Sequence, residues 1–256
     1  MRLLFIRHGD PDYVHDTLTE KGHREAALLA ERAEALQLGK CFVSPLGRAQ
    51  ATAGYSMKKL GRTAKTLGWL QEFPAWIDLN QAPQLLDAFP NARTEDGKYA
   101  PHIVWDIMPS YWAEFSDCMD PAGWRECEIS RNSDTVEIYD HVTGEFDKLL
   151  AEHGYIRDGR CYKVEKESTE TLTFFCHFGI TCVFLAHLWG ISPFLLWHSL
   201  ALAPTSVTEI VTEERQQGTA CFRGLKIGDV SHLILGGEPV STAARFCEVY
   251  SGPGLH

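Results

Sequence analysis

The stretch Leu3-Leu4-Phe5-Ile6-Arg7-His8-Gly9-Asp10 constrains this chain more than any other. Four apolar residues run directly into an arginine, a histidine and a glycine. A short apolar run closed by glycine reads as a buried strand. Arg7 and His8 are then delivered to the strand's carboxyl end. In open α/β sheets that edge is where ligands bind, and Gly9 lets the backbone turn sharply and approach a ligand. A strand followed by a solvated surface loop is the competing reading of these residues alone.

Beyond this strand the sequence alternates between strand and helix patterns. Thr19 can cap a helix running to about Leu38, with Glu20 in its first turn and Ala26, Leu29, Ala30, Ala33 and Leu36 as its apolar face. Cys41-Phe42-Val43 reads as a second strand. Ser44 and Pro45 then open a helix, as cap and first residue, with Arg48 on the first turn. A third strand is expected over 63–67. A helix follows over about 134–153, with Asp134 and Glu137 as a capping-box variant. Leu172-Thr173-Phe174-Phe175-Cys176 is a further strand ending at His177, and shorter strands are expected near 206–211 and 219–224. Residues 180–202 are apolar, but His187, Gly190, Ser192, Pro193 and His198 interrupt them, so two buried helices are expected rather than a membrane span.

The stretch from Phe73 to Arg131 has a different character. Trp76, Trp105, Trp112 and Trp124 lie among other aromatics and several prolines, with little periodicity. An inserted lid or cap over about 73–131 is expected. Its aromatics form either its own small core or the wall of an apolar pocket. The fold class expected is α/β: three layers, a mostly parallel sheet flanked by helices, and one domain over 1–256 carrying this insertion.

Composition narrows the class of function. Hydrophobic residues make up 45% and charged residues 23%, as in an ordinary globular protein. The net charge of -10 gives no basic footprint for nucleic acid or an anionic membrane. The eight cysteines form no C-x-x-C pair, and most sit in apolar runs. They read as reduced, buried thiols, neither a disulfide framework nor a zinc site. The N-terminus enters a strand with no cleavable apolar region, so no secretory signal is read and a cytoplasmic location is expected.

Two strands therefore end in histidine, at His8 and His177, with Arg7 at one strand end and Arg48 at a helix start. If the sheet is parallel, all four side chains meet at one edge. The sequence resembles the histidine phosphatase superfamily, the phosphoglycerate-mutase-like family. The resemblance is carried in order by Arg7-His8-Gly9, by Leu18-Thr19-Glu20-Lys21-Gly22, and by Ser44-Pro45-Leu46-Gly47-Arg48-Ala49-Gln50-Ala51-Thr52-Ala53. It continues through Leu70-Gln71-Glu72 and Cys176-His177-Phe178-Gly179. It spans most of the chain except the insertion.

The resemblance implies His8 as a nucleophile that forms a phosphohistidine. It implies Arg7, Arg48, His177 and Phe178 as phosphate-binding residues, His177 also acting in catalysis, and Glu72 as the proton donor. The chemistry suits these types. Phosphoryl transfer needs an in-line nucleophile and donors for the equatorial oxygens, and forked guanidinium donors fit phosphate. Nearby cations disfavour imidazolium and so keep His8 neutral. A protonated His177 would add a donor.

The sequence departs from the family pattern after Glu72, where it reads Phe73-Pro74-Ala75-Trp76-Ile77-Asp78, leaving Asp10 and Asp78 as reserve proton donors. It departs again after Gly9, where Asp10-Pro11-Asp12-Tyr13-Val14 contains no asparagine. The second departure argues against a phosphoglycerate mutase, and with the aromatic-rich insertion it favours a phosphomonoesterase of the histidine acid phosphatase kind, acting on a small organic phosphate monoester with no cofactor; the cationic constellation, without clustered carboxylates, makes it metal-independent. A phosphoglycerate-mutase-type phosphotransferase and a non-catalytic phosphate-ester binding module are the alternatives. The oligomeric state is left open, a homodimer included. His232 reads as packing rather than catalysis, and in Thr205-Ser206-Val207-Thr208 one hydroxyl or amide can face the site.

Overall fold

A computed structural model describes residues 1–243 and Val249. Its chain divides into two units, the first holding Met1–Glu72, Leu150–Thr181 and the chain from Ala201 onward, the second Phe73–Leu149 and Cys182–Leu200.

The first unit is built on a sheet of eight strands among the described residues: β1 (Arg2–Arg7), β2 (Lys40–Val43), β3 (Lys65–Thr66), β4 (Tyr155–Asp158), β5 (Cys161–Val164), β6 (Thr171–Cys176), β7 (Val207–Gln216) and β8 (Thr219–Asp229). Their order across the sheet is β4-β5-β8-β7-β1-β6-β2-β3. The three pairs from β1 through β6 and β2 to β3 are parallel. The four pairs from β1 through β7, β8 and β5 to β4 are antiparallel. The sheet is thus mixed, which corrects the expectation of a mostly parallel one. The physical reason lies in two short connections. Gln217-Gly218 joins β7 to β8 and Gly159-Arg160 joins β4 to β5. A two-residue link can close only an antiparallel hairpin, because a parallel crossover needs a dozen residues or more.

Along β1 the side chains alternate. Leu4 and Ile6 enter a core with Leu29, Ala49, Ala53, Phe175 and Val207. Phe5 points to the other face, where its ring lies 5.3 Å from that of Phe174, itself 5.3 Å from Phe42. Two helices frame the first core: α1 (Glu20–Glu31) and α2 (Gly47–Leu60). Thr19 caps α1, its hydroxyl accepting the Gly22 N–H. The helix ends at Glu31 instead of near Leu38, because Arg32 leaves helical geometry and only a short turn over Ala33–Leu36 follows. Helix α2 begins at Gly47 with Leu46 as its cap residue and no side-chain cap. Ser44 is therefore not the cap residue expected, although its hydroxyl accepts the Leu46 N–H at 3.2 Å.

The second unit holds short turns, two-residue strand pairs and most of the helices α3 (Thr135–Glu152), α4 (Phe178–Trp189) and α5 (Pro193–Ser199). Its aromatics pack on each other: Phe73 on Trp197 at 5.3 Å, Trp124 edge-on to Tyr139 at 4.8 Å, and Phe146 stacked on Phe184 at 4.5 Å. Arg125 lies over Trp124 and Tyr139 and pairs with Asp140, whereas Arg93, Lys98 and Arg131 are exposed. The apolar stretch 180–202 is two helices, broken as expected, with Ser192 capping α5 through the Phe194 N–H at 3.2 Å. Among the described residues no helix is long and apolar enough to cross a membrane. The seven described cysteines are free thiols, five of them buried. Cys247 lies outside the described residues.

Candidate active site

The parallel part of the sheet assembles the site. Arg7 at the end of β1 is in register with Cys176 at the end of β6, and Phe175 with Val43 at the end of β2. The next residues of the three strands therefore emerge together at one sheet edge. The His8 N–H donates to the Cys176 carbonyl at 3.0 Å and the Ser44 N–H to the Phe175 carbonyl at 3.0 Å. The His8 and His177 rings lie 5.1 Å apart, tilted by 57°. The Ser44 hydroxyl, which also accepts the Leu46 N–H, shares a 2.7 Å hydrogen bond with His177 Nε2.

His8 is 2% exposed. Its Nδ1 lies 2.7 Å from the Gly9 carbonyl oxygen. A carbonyl only accepts, so Nδ1 carries the proton and Nε2 the lone pair. Burial first, then the positive charges of Arg7 and Arg48, push the His8 pKa well below 6.5 and keep the ring neutral. Burial does the same to His177, with His8, Arg48 and Arg7 adding to it. Without a bound anion the His177 ring therefore favours its neutral form.

Both arginines are anchored. Arg7 donates through Nη1 to the Leu202 carbonyl at 2.6 Å and through Nη2 to that of Ala243 at 3.3 Å. Burial lowers its pKa, against which Tyr13 and Glu72 act, Tyr13 also through a side-chain hydrogen bond. Arg48 donates through Nη1 to Asp16 Oδ1 at 2.7 Å and lies 5.4 Å from the centre of the Tyr13 ring. The other Asp16 oxygen accepts the Gly47 N–H at 2.6 Å, so one carboxylate ties Arg48 to the start of α2. Burial pushes the Asp16 carboxyl up, but the hydrogen bonds from Gly47 and Arg48 outweigh it and hold it below the usual carboxylate value. Thr52 adds a brace: its hydroxyl accepts the Gly9 N–H at 2.9 Å and donates to the Arg48 carbonyl at 2.8 Å.

Several polar atoms at this edge are buried with no hydrogen-bond partner among the described residues: Nε of Arg7, Nε of Arg48, Nδ1 of His177 and Oγ of Ser206. Buried donors are nearly always satisfied, and each exception asks for an explanation. Two guanidinium N–H groups without acceptors, beside two neutral imidazoles, form a place for an anion.

Glu72 is part of this constellation. One of its carboxylate oxygens accepts the Ile180 N–H in the first turn of α4 at 3.0 Å, and its charge acts on Arg7. Phe178 is the first residue of α4 and is buried. The reserves are occupied differently. Asp10 accepts from the hydroxyls of Thr19 and Ser241 and shapes the turn after Gly9. Asp78 is exposed, belongs to the second unit, and accepts from both nitrogens of Asn80. His232 is buried and bonds to the Thr205 hydroxyl at 2.9 Å, while the Thr205 N–H donates to the His8 carbonyl at 3.1 Å. Among the described residues no three His, Cys, Asp or Glu side chains gather to hold a metal ion.

The sequence alone does not mark Tyr13, Asp16 or Thr52 as site residues, and it reads Ser44 only as a helix cap. Ser44 and Thr52 sit inside the matched segment, where the serine-proline pair reads as a helix start. Tyr13 and Asp16 lie in a loop without periodicity, which only the tertiary structure brings to Arg48.

A mixed sheet whose parallel strand ends carry Arg7, His8 and His177, joined by Arg48 from α2 and by Glu72, defines an α/β protein with a buried histidine–arginine centre. The model of the histidine phosphatase superfamily, branch 1, matches residues 3–102 of this chain. Comparison with curated proteins gives no match. Among solved structures, the phosphoserine phosphatase of Entamoeba histolytica is similar with a TM-score of 0.57 at 15% identity, over 91% of this chain and 98% of that one. The mycobacterial glucosyl-3-phosphoglycerate phosphatase gives 0.54 at 16% identity, over 88% and 98%. The alpha-ribazole phosphatase of Shigella flexneri gives 0.52 at 18% identity, over 89% and 97%. At these identities the likeness is one of fold.

Proposed function

We propose that this protein is a metal-independent phosphatase that hydrolyses a small organic phosphate monoester through a phosphohistidine on His8. The observation that carries the reading is the state of His8: buried, neutral, with Nδ1–H held by a carbonyl and the Nε2 lone pair left for attack. Nε2 attacks phosphorus, the P–N bond forms and the bond to the leaving oxygen breaks in line with it. Arg7 and Arg48 bind the equatorial oxygens, where negative charge gathers. A bound dianion reverses the balance at His177, raises its pKa and turns the ring into a further donor. Glu72 takes up a proton when the dianionic substrate binds beside it, gives that proton to the leaving alkoxide, then takes one from the water that attacks the phosphohistidine and releases phosphate. Phe178, at the start of α4, belongs to the phosphate-binding set.

We read the chain as a single histidine-phosphatase domain, with the aromatic-rich segment over about 73–131 as its inserted element. The buried free thiols support a reducing, cytoplasmic setting.

The deciding experiment is phosphate release from p-nitrophenyl phosphate and a panel of metabolite monoesters in EDTA, for the wild type and His8→Ala. Release is expected to persist in EDTA, and His8→Ala to lose about a thousandfold or more. Turnover by His8→Ala within tenfold of wild type would overturn the phosphohistidine route. Interconversion of phosphoglycerates without net release would make the protein a mutase instead.

A further inference from the structure

Ser206 stands opposite Arg7. Strands β1 and β7 pair antiparallel with Ile6 across from Val207, and the Arg7 N–H continues the ladder to the Ser206 carbonyl at 3.2 Å. Residues directly opposite in such a ladder place their side chains on the same face, with Cβ atoms about 4.5–5.5 Å apart. Ile6 and Val207 share the core on one face. One residue further along each strand, Arg7 and Ser206 turn to the other face together.

Both side chains are almost fully buried, at 5% and 1% exposure. Both present a donor without a partner among the described residues, Arg7 through Nε and Ser206 through Oγ. An isolated buried hydroxyl weakens a fold, because it loses its hydrogen bonds to water and gains none.

The backbone before Ser206 is also costly. Thr205 has φ 56, a left-handed conformation rare for a β-branched residue. Its N–H to the His8 carbonyl and its hydroxyl contacts with Pro204 and His232 hold it there. Strain of this kind persists where the surroundings enforce it, and it gathers at functional sites. Here it sets the direction from which the chain enters Ser206, next to both His8 and Arg7.

We propose that Ser206 is a substrate-contacting residue whose Oγ–H donates to the phosphoryl group that Arg7 holds through Nε. This rests on the reading of the His8 centre as a phosphate site. It assigns to that site a neutral donor that binds the phosphoryl oxygens without adding charge beside His8.

The test uses inorganic phosphate as the probe. Phosphate affinity by titration calorimetry, Tm without phosphate, and kcat/KM on p-nitrophenyl phosphate are measured for wild type, Ser206→Ala and Ser206→Cys. Ser206→Ala is expected to bind phosphate about 10- to 100-fold more weakly, the range for a hydrogen bond to a charged group, with kcat/KM falling by a similar factor. Its Tm without phosphate is expected to stay level or rise, since an unsatisfied hydroxyl has been removed. Ser206→Cys, nearly the same size but a poor donor, is expected to lose affinity as Ser206→Ala does.

Wild-type phosphate affinity in either variant would overturn the proposal. So would a fall in Tm with unchanged affinity, the mark of a packing role. If wild type neither binds nor releases phosphate, the phosphate-site reading itself fails and takes Ser206 with it. If wild type does both and the variants match it, only the Ser206 assignment fails.

Discussion

His8 and His177 come from near-identical sequence settings, each at the end of a buried strand, yet their hydrogen bonds differ. His8 Nδ1 is committed to a backbone carbonyl, while His177 Nε2 is committed to a serine hydroxyl. Their ring orientations, and so the nitrogen each can offer, follow from these bonds. Glu72 is defined in the same way, by its hydrogen bond to Ile180 N–H and its field at Arg7. A proton donor matters most when the leaving group is a poor one. Glu72→Gln should cut kcat/KM on an alkyl monoester by about 100-fold or more, and on p-nitrophenyl phosphate by less than about tenfold. Steady-state kinetics on the two substrates checks this, and equal losses would remove Glu72 from the acid role.

Among the elements, helix α2 and the loop before α1 form one device. Asp16 binds both the first N–H of α2 and the Arg48 side chain one residue later. This closeness depends on Gly47, where an added Cβ would come within 2.1 Å of the Asp16 carbonyl oxygen. Helix propensity alone favours alanine over glycine by about 1 kcal/mol. The backbone clash acts the other way, and overpacking costs about 1–3 kcal/mol. We expect the clash to win. Gly47→Ala should lower Tm by several degrees and raise KM by disturbing Arg48. A rise in Tm with unchanged KM would show that the loop moves aside freely.

Across the whole molecule, buried neutral histidines set the acid side of the stability profile. His8, His177 and His232 in the first unit and His198 in the second all have pKa values lowered chiefly by burial. The unfolded chain protonates them below about 6.5, whereas the folded one resists. Their contribution is therefore complete above the unfolded value and is lost as pH falls below it. For His232, lowered from 6.5 to about 4, that loss is roughly 3 kcal/mol by pH 4. Burial acts with opposite sign on Glu25, whose carboxyl is pushed up to about 7, so its contribution declines as pH rises from 4.5 towards 7. Thermal unfolding followed between pH 7 and 4 should show a falling Tm. His232→Gln, which keeps a donor for the Thr205 hydroxyl, should shrink that fall. An unchanged slope would mean that His232 is not held neutral by the fold.

The sequence by itself determined the strand that ends at Arg7-His8, the strand that ends at His177, the capping of α1 by Thr19 and the break between α4 and α5. Each is local: an apolar run closed by a polar residue, a hydroxyl before a helix, a glycine and proline between helices. It also placed Arg48 on the first turn of α2, although not the residue at the cap. What only the tertiary structure decided is non-local. The mixed hand of the sheet follows from two hairpins, one of which, β4 with β5, lacks an apolar run long enough to announce itself. Asp16 reaches Arg48 across a loop, Ser44 links a helix start to His177, and Ser206 meets Arg7 through strand register. Periodicity reports which face of an element is buried, but it does not report which two polar groups share a buried edge. That depends on register, loop closure and the removal of water from both partners at once.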